Sequence, residues 1–264
     1  MCRMLAYAGP PLAPGELISA PPHSLVVQSY RPREMTSGVV NADGWGAALW
    51  LDDGKPEPAL YRSDAPIWAD PNLGWLGARL RARALLAAVR SATPGIGYGV
   101  HNVQPFARGP LAFVHNGFVT GFRQGPQRAL RESLGVKAYE SIEGSSDSEV
   151  IFALVLDALD RGAGSLAAAL REGLAVLRRV CDEQRCTAVA TVLVSDGAQI
   201  AGARWAHGVS PASLYVSAWP PAPDARAAGW CMASEPVDGA GWTAVPAAHL
   251  AIARPGHAVQ LEAL

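Results

Sequence analysis

Lysine is nearly absent from this chain: Lys55 and Lys137 are its two copies among 264 residues. Charge as a whole is scarce, at 17% of residues, and almost balanced, with a net charge of −1. Without a basic surplus or a Lys/Arg run, the electrostatic footprint of a nucleic-acid binder is missing. Long apolar runs are missing too. No stretch approaches the roughly 20 residues needed to span a bilayer. The N-terminus lacks the charged segment and apolar stretch of a secretory signal. Cysteine is sparse, at positions Cys2, Cys181, Cys186 and Cys231. Cys181 and Cys186 do not form a CxxC knuckle, and no matching His pair follows them, which argues against a zinc site. These absences imply a reduced, cytoplasmic protein with no metal, no membrane and no nucleic acid among its partners. What is plentiful is apolar surface, half of all residues. That suffices for a large buried core and argues against disorder.

The first two residues carry a chemical possibility. If Met1 is removed, Cys2 holds a thiol and a free α-amino group on one residue. An α-amino group has a pKa of roughly 7.7–8.0, close to working pH, so it can take the thiol proton. Pairing a thiol or hydroxyl with an N-terminal amine is one way to activate a nucleophile. Met4–Ala8 then reads as a buried strand closed by a Gly9-Pro10-Pro11 turn.

Asn41-Ala-Asp-Gly-Trp-Gly46 runs into the apolar stretch Ala47–Leu51. It reads either as an Asp-Gly turn before a strand or as a strand whose entry passes very close to another backbone. Asn72–Arg83 has helical spacing, with Leu73, Leu76 and Leu80 on one face. Leu85–Val89 is a buried strand ending at Arg90. That arginine is either a surface ion-pair partner or a bidentate grip for a carboxylate. Leu111–Val114 is a strand that stops at His115-Asn116-Gly117. This tripeptide reads either as an ordinary Asn-Gly turn or as two donors for a developing oxyanion, the Asn116 side chain and the Gly117 N–H.

Two helices follow, Val150–Arg161 and Ser165–Val180, joined by Gly162-Ala-Gly164. Ser145, Ser146 or Asp147 caps the first, with Glu149 in its opening turn. From residue 187 short strands dominate: Thr187–Ser195, Gln199–Arg204, Leu214–Ala218, Trp230–Ser234, Trp242–Val245 and Ala258–Leu261. Strands, then helices, then strands again suggest two stacked sheets with helices outside, in one domain over residues 2–264.

The order Cys2, Asp43-Gly-Trp-Gly46, Arg90-x-x-Thr93, His115-Asn-Gly117 and Ser146-Asp-Ser-Glu149 resembles the class II glutamine amidotransferases. The resemblance implies an N-terminal-nucleophile hydrolase with a four-layer α/β/β/α sandwich and no cofactor. By the same resemblance, Cys2 is the nucleophile and Asn116 with Gly117 forms the oxyanion hole. Arg90 grips the α-carboxylate of a glutamyl group, Thr93 contacts that carboxylate, and Asp147 binds the α-ammonium. Many members have His where Ser91 stands, and Ser91 receives no role. Pro21-Pro-His-Ser-Leu25, Gln28-Ser-Tyr30, Pro32-Arg-Glu-Met35, Tyr61-Arg-Ser63, Pro66-Ile-Trp68 and Gln104-Pro-Phe106 are similar to the ergothioneine-biosynthesis amidohydrolase branch. That branch removes the γ-glutamyl group from γ-glutamyl-hercynylcysteine S-oxide, so the expected partner is a small γ-glutamyl molecule. A glutaminase subunit feeding ammonia to a separate synthase and a silent binding module retaining Met1 are the alternatives. His101, His115, Trp45 and Trp68 either line the pocket or belong to the scaffold. Ser234 and Glu235 approach the site without an assigned role.

Overall fold

Apolar side chains alternate along the first strand, and alternation sends them to opposite faces. In β1 (Arg3–Leu12), Met4, Ala6 and Ala8 face one way and Leu5 and Tyr7 the other, all fully buried. A strand buried on both faces needs a covering layer on each side. The structure, a computed structural model, describes residues 2–35, 38–92, 97, 99–221, 228–239 and 241–264.

In chain order, β1 is followed by α1 (Gly15–Ile18), α2 (Leu25–Tyr30), β2 (Trp45–Leu51), β3 (Ala59–Ser63), α3 (Leu73–Arg79) and β4 (Ala82–Val89). Then come β5 (Phe106–Arg108), β6 (Leu111–Val119), α4 (Pro126–Glu132), α5 (Val136–Glu140), α6 (Asp147–Asp160) and α7 (Leu166–Gln184). The last part holds β7 (Ala188–Ser195), β8 (Ile200–His207), β9 (Tyr215–Trp219), β10 (Gly229–Ala233), β11 (Thr243–Ala244), β12 (His249–Ala253) and β13 (Gln260–Ala263). Among the described residues they form a seven-stranded sheet, β11-β9-β10-β1-β4-β2-β3, and a six-stranded sheet, β13-β12-β8-β7-β6-β5.

Three apolar clusters fill the gaps between layers. Met4, Trp50, Leu86, Val114, Leu193 and Met232 pack between the two sheets. Leu5, Tyr7, Leu17, Leu25 and Leu85 pack the outer face of the seven-stranded sheet against α1 and α2. Phe113, Val192, Phe152, Leu154, Leu170 and Leu174 pack the six-stranded sheet against α6 and α7, with Phe113 stacked on Phe152 at 5.2 Å. This is the expected α/β/β/α sandwich. Each fully buried side chain of Leu or Phe size contributes roughly 1.5–3 kcal/mol. Among the described residues no helix is long and apolar enough to cross a membrane.

Several local expectations change. Gly9-Pro10-Pro11 is not a turn: β1 continues to Leu12, and its pairing with β4 skips from Ala8 to Leu12. The skipped register spares Pro10 and Pro11 from a ladder N–H they lack. The helix over 72–83 ends at Arg79, because Ala82 already pairs in β4. β6 does not stop at Val114. It runs through His115-Asn116-Gly117 to Val119, paired with β7 along its length. α2 is capped by the Ser24 hydroxyl, and β12 falls in a stretch that carries no strand signal in the sequence reading. Thr93 and Met1 lie outside the described residues.

Candidate active site

The same alternation that builds the inter-sheet core aims the candidate residues. Cys2 stands just before β1 in the parity of Met4 and Ala6, so its thiol points to the face between the sheets. β4 pairs with β1 through Val89 and Arg3, which places Arg90 beside Cys2 and in the parity of Leu86 and Ala88. The end of β4 is extended by two more bonds: Arg90 N–H donates to the Gly44 carbonyl at 2.8 Å, and Asp43 N–H donates to the Arg90 carbonyl at 3.0 Å. Asn116 follows Ala112 and Val114 on the inter-sheet face of β6. One end of the sandwich therefore gathers Cys2, Arg90 and Asn116 from three strands.

Asp43-Gly-Trp-Gly46 follows the close-approach reading: Asp43 and Gly44 pair with Arg90 and close no hydrogen-bonded turn. Gly44 has φ of +110°, which favours glycine. A Cβ on Gly46 would meet the Gln104 carbonyl oxygen at 2.5 Å, so the strand entry does pass close to another backbone. The Asp43 carboxylate accepts from the Ala92 N–H at 2.7 Å, holding the segment after Arg90.

The Cys2 sulfur lies 4.0 Å from the Ser91 carbonyl oxygen and 3.9 Å from Gln104 Nε2. Gln104 is buried and tied by both ends of its amide to His115: its Nε2 donates to the His115 carbonyl at 2.9 Å, and its Oε1 accepts from the His115 N–H. The residue before Asn116 is thus held to a side chain that touches the thiol.

Arg90 and Asn116 have unmet hydrogen-bonding capacity, and so has the buried Nη2 of Arg3 among the described residues. Arg90 donates through Nη2 to the Gly97 carbonyl at 3.2 Å, but its buried Nη1 has no partner among the described residues. Asn116 is fully buried, and both its Oδ1 and Nδ2 lack partners there. Buried polar groups are normally satisfied, and each exception needs an explanation such as a bound ligand. Gly117, next in line, has no room for a side chain. A Cβ would overlap the Val189 carbonyl on β7.

Asp147 opens α6, whose cap is Ser146, the middle of the three candidates; its hydroxyl accepts from the Glu149 N–H at 3.2 Å. The buried Asp147 carboxylate accepts from the Val119 N–H at 3.0 Å and the Ser148 N–H at 2.8 Å, which leaves it further lone pairs. Asn102 joins this corner to the arginine: its Nδ2 donates to the Gly97 carbonyl at 3.0 Å, and its Oδ1 accepts from the Ser145 N–H at 3.1 Å.

His115 belongs to the scaffold. Val189's carbonyl can only accept, so Nε2 carries the proton (2.9 Å) and Nδ1 accepts from the Ser148 hydroxyl (2.8 Å). Burial pushes its pKa down, against the opposing charge of Asp147. Trp45 is core, its indole N–H donating to Asp70 at 2.8 Å. His101 and Trp68 are exposed, Trp68 lying edge-on to Tyr30. Among the described residues no group of three His, Cys, Asp or Glu could hold a metal.

Sequence reasoning passed over Gln104, Asn102 and Arg3 as site residues. Arg3 carried a signal: a charge directly against an apolar strand, and it is fully buried here.

The profile described as "Glutamine amidotransferases class-II" matches residues 19–210. The chain belongs to this family. The gamma-glutamyl-hercynylcysteine sulfoxide hydrolase of Mycolicibacterium smegmatis is 33% identical over 260 residues, covering 98% of each chain. The protein of that name from Mycobacterium tuberculosis is 33% identical over 251 residues, covering 95% of this chain and 91% of its own. A solved glutamine aminotransferase class-II domain protein from Silicibacter pomeroyi superposes with TM-score 0.70 at 24% identity, over 100% of this chain and 99% of that chain. This class II amidotransferase is therefore an enzyme of amide hydrolysis on the N-terminal-nucleophile hydrolase fold.

Proposed function

We propose that this enzyme hydrolyses the γ-glutamyl amide of γ-glutamyl-hercynylcysteine S-oxide, releasing glutamate and hercynylcysteine S-oxide, in ergothioneine biosynthesis. The observation that carries the reading is the shared inter-sheet end. At that end stand Cys2, an Arg90 nitrogen and the Asn116 amide, the last two without partners among the described residues. The full-length likeness to the mycobacterial hydrolases supports the choice of substrate.

In this reading Met1 is removed. Arg90, with Thr93, takes the α-carboxylate of the glutamyl group and Asp147 takes its α-ammonium. Two fixed charges hold the scissile carbonyl over Cys2 and convert the encounter into a positioned, effectively unimolecular step. The α-amino group of Cys2 takes the thiol proton as sulfur bonds to the carbonyl carbon. The oxyanion formed is met by the Asn116 side chain and the Gly117 N–H. The C–N bond then breaks, and the leaving amine takes its proton from the α-ammonium of Cys2. Water, deprotonated by the same amine, attacks the thioester; the thiol departs with the proton and glutamate is freed. No cofactor takes part, and the work is cytoplasmic.

The test is incubation of the mature protein, and of Cys2→Ala, with γ-glutamyl-hercynylcysteine S-oxide and with glutamine, reading glutamate. Release from the S-oxide, lost in Cys2→Ala without loss of fold, is expected. Release from glutamine alone would instead indicate a glutaminase that supplies ammonia to a separate synthase. Retained Met1 in the intact mass, with no glutamate from either compound, would make the chain a binding module.

A further inference from the structure

We propose that Arg3, Glu235 and His23 form a positioning network that holds the main chain of Cys2 from behind the sheet. The proposal rests on the reading of Cys2 as the nucleophile. An N-terminal residue has no preceding peptide to restrain it. Once Met1 is gone, the Cys2 carbonyl still offers the fold an acceptor by which to anchor its main chain. Both reacting groups, thiol and α-amine, hang from the adjoining Cα.

The anchor is present. Arg3 Nε donates to the Cys2 carbonyl oxygen at 2.7 Å. Arg3 has the parity of Leu5 and Tyr7, so its guanidinium lies on the outer face, opposite the thiol. It steadies Cys2 without entering the pocket. Its Nη1 pairs with Glu235 Oε1 at 2.7 Å, and both side chains are essentially inaccessible to water.

Glu235 is itself fixed from several directions. It follows β10, and Ser234 continues the pairing with β1 by donating its N–H to the Met4 carbonyl at 2.9 Å. The Glu235 carboxylate also accepts from His23 Nε2 at 2.7 Å, the Arg33 N–H at 2.9 Å and the Glu34 N–H at 3.0 Å. Burial alone would raise the Glu235 carboxyl, but those bonds and the charge of Arg3 hold it below the usual carboxylate range. His23 is oriented by its N–H to the Val237 carbonyl (3.0 Å) and by Gln28 on its own carbonyl (2.8 Å). Glu34 accepts from the Tyr215 hydroxyl at 2.7 Å, tying the 33–34 segment to β9.

A buried ion pair is a weak source of stability. Desolvation of two charges commonly cancels their attraction, and apolar replacements of equal volume often do as well. What an apolar pair cannot supply is a directed donor to the Cys2 carbonyl.

The test compares Arg3→Lys and Glu235→Gln with the unaltered enzyme. Readouts are kcat and KM for the γ-glutamyl substrate, the iodoacetamide alkylation rate of Cys2 followed by peptide mass, and the thermal midpoint. Misplacing a reacting group by about 1 Å can cost on the order of 100-fold. The expected result is a kcat loss of about that size with KM little changed. Alkylation should slow by about tenfold or more, because the thiol loses its placed base. A folded Glu235→Gln protein with unaltered kcat and Cys2 alkylation overturns the proposal. So does a loss of kcat that only follows the unfolded fraction. Alkylation needs no substrate, so a protein that turns over no γ-glutamyl amide fails the functional reading while the alkylation comparison still decides on the network.

Discussion

Asn116 is the residue whose surroundings make the least sense at rest. Its amide is fully buried, and neither end has a partner among the described residues. An unsatisfied buried group costs about 1–3 kcal/mol. An oxyanion arriving in the site would supply an acceptor for the Nδ2 donor. Asn116→Leu should therefore lower kcat by about 100- to 1000-fold, the usual effect of losing an oxyanion donor, while the thermal midpoint stays level or rises. A fall in the midpoint alongside retained kcat would refute this account. His115 makes a second residue-level prediction. Burial lowers its pKa in the folded protein, so the unfolded chain binds the extra proton first. Its contribution to stability is complete above the unfolded value of about 6.5 and is lost as pH falls below it. Denaturant titrations from pH 8 to pH 5 should show stability declining more steeply in the unaltered protein than in His115→Gln. Parallel curves would show that His115 does not control the slope.

At the scale of elements, β6 joins the core to the candidate site. Its odd residues Phe113 and His115 face the helices, and its even residues Ala112, Val114 and Asn116 face the other sheet. Gly117 sits where any side chain would collide with the β7 backbone and the His115 ring. Gly117→Ala should push β6 from β7, cost about 1–3 kcal/mol as overpacking does, and lower kcat by displacing Asn116. Chemical denaturation and initial rates check both parts. Unchanged stability would mean that the two strands can part without strain. α6 has a comparable double role, its buried apolar length docking on the sheet and its first turn presenting Asp147.

The whole molecule brings together charges that no single layer holds. Arg90 comes from the end of a strand in one sheet, and Asp147 from a helix packed on the other. Asn102 spans the gap between their loops. If these two charges clamp the ends of a glutamyl group, removing one clamp should equal removing its ligand. Asp147→Ala should lower kcat/KM for the γ-glutamyl substrate but leave that of its glutaryl analogue, which lacks the α-ammonium, nearly unchanged. Equal losses on both substrates would place the ammonium elsewhere.

The order of elements and the apolar patterning carried the layered architecture, because a period-2 or period-3.6 pattern depends on near neighbours alone. The ordered motifs from Cys2 to Glu149 also pointed to the family and named Cys2, Arg90 and Asn116, which lie toward one end of the sandwich. Local preference misled where distant pairing outweighed it. Asn116-Gly117 favours a turn, yet an unbroken register with β7 keeps it extended. Gly9-Pro10-Pro11 also reads as a turn, yet an interrupted ladder lets the strand pass. His249–Ala253 is alanine-rich, a poor strand signal, but it becomes a strand between β8 and β13. Cys2 stood out in the sequence as a nucleophile beside its own amine. The Arg3–Glu235 pair that holds the guanidinium against its carbonyl was decided by tertiary structure alone, because Arg3 and Glu235 lie near opposite ends of the chain and meet only when β10 pairs with β1.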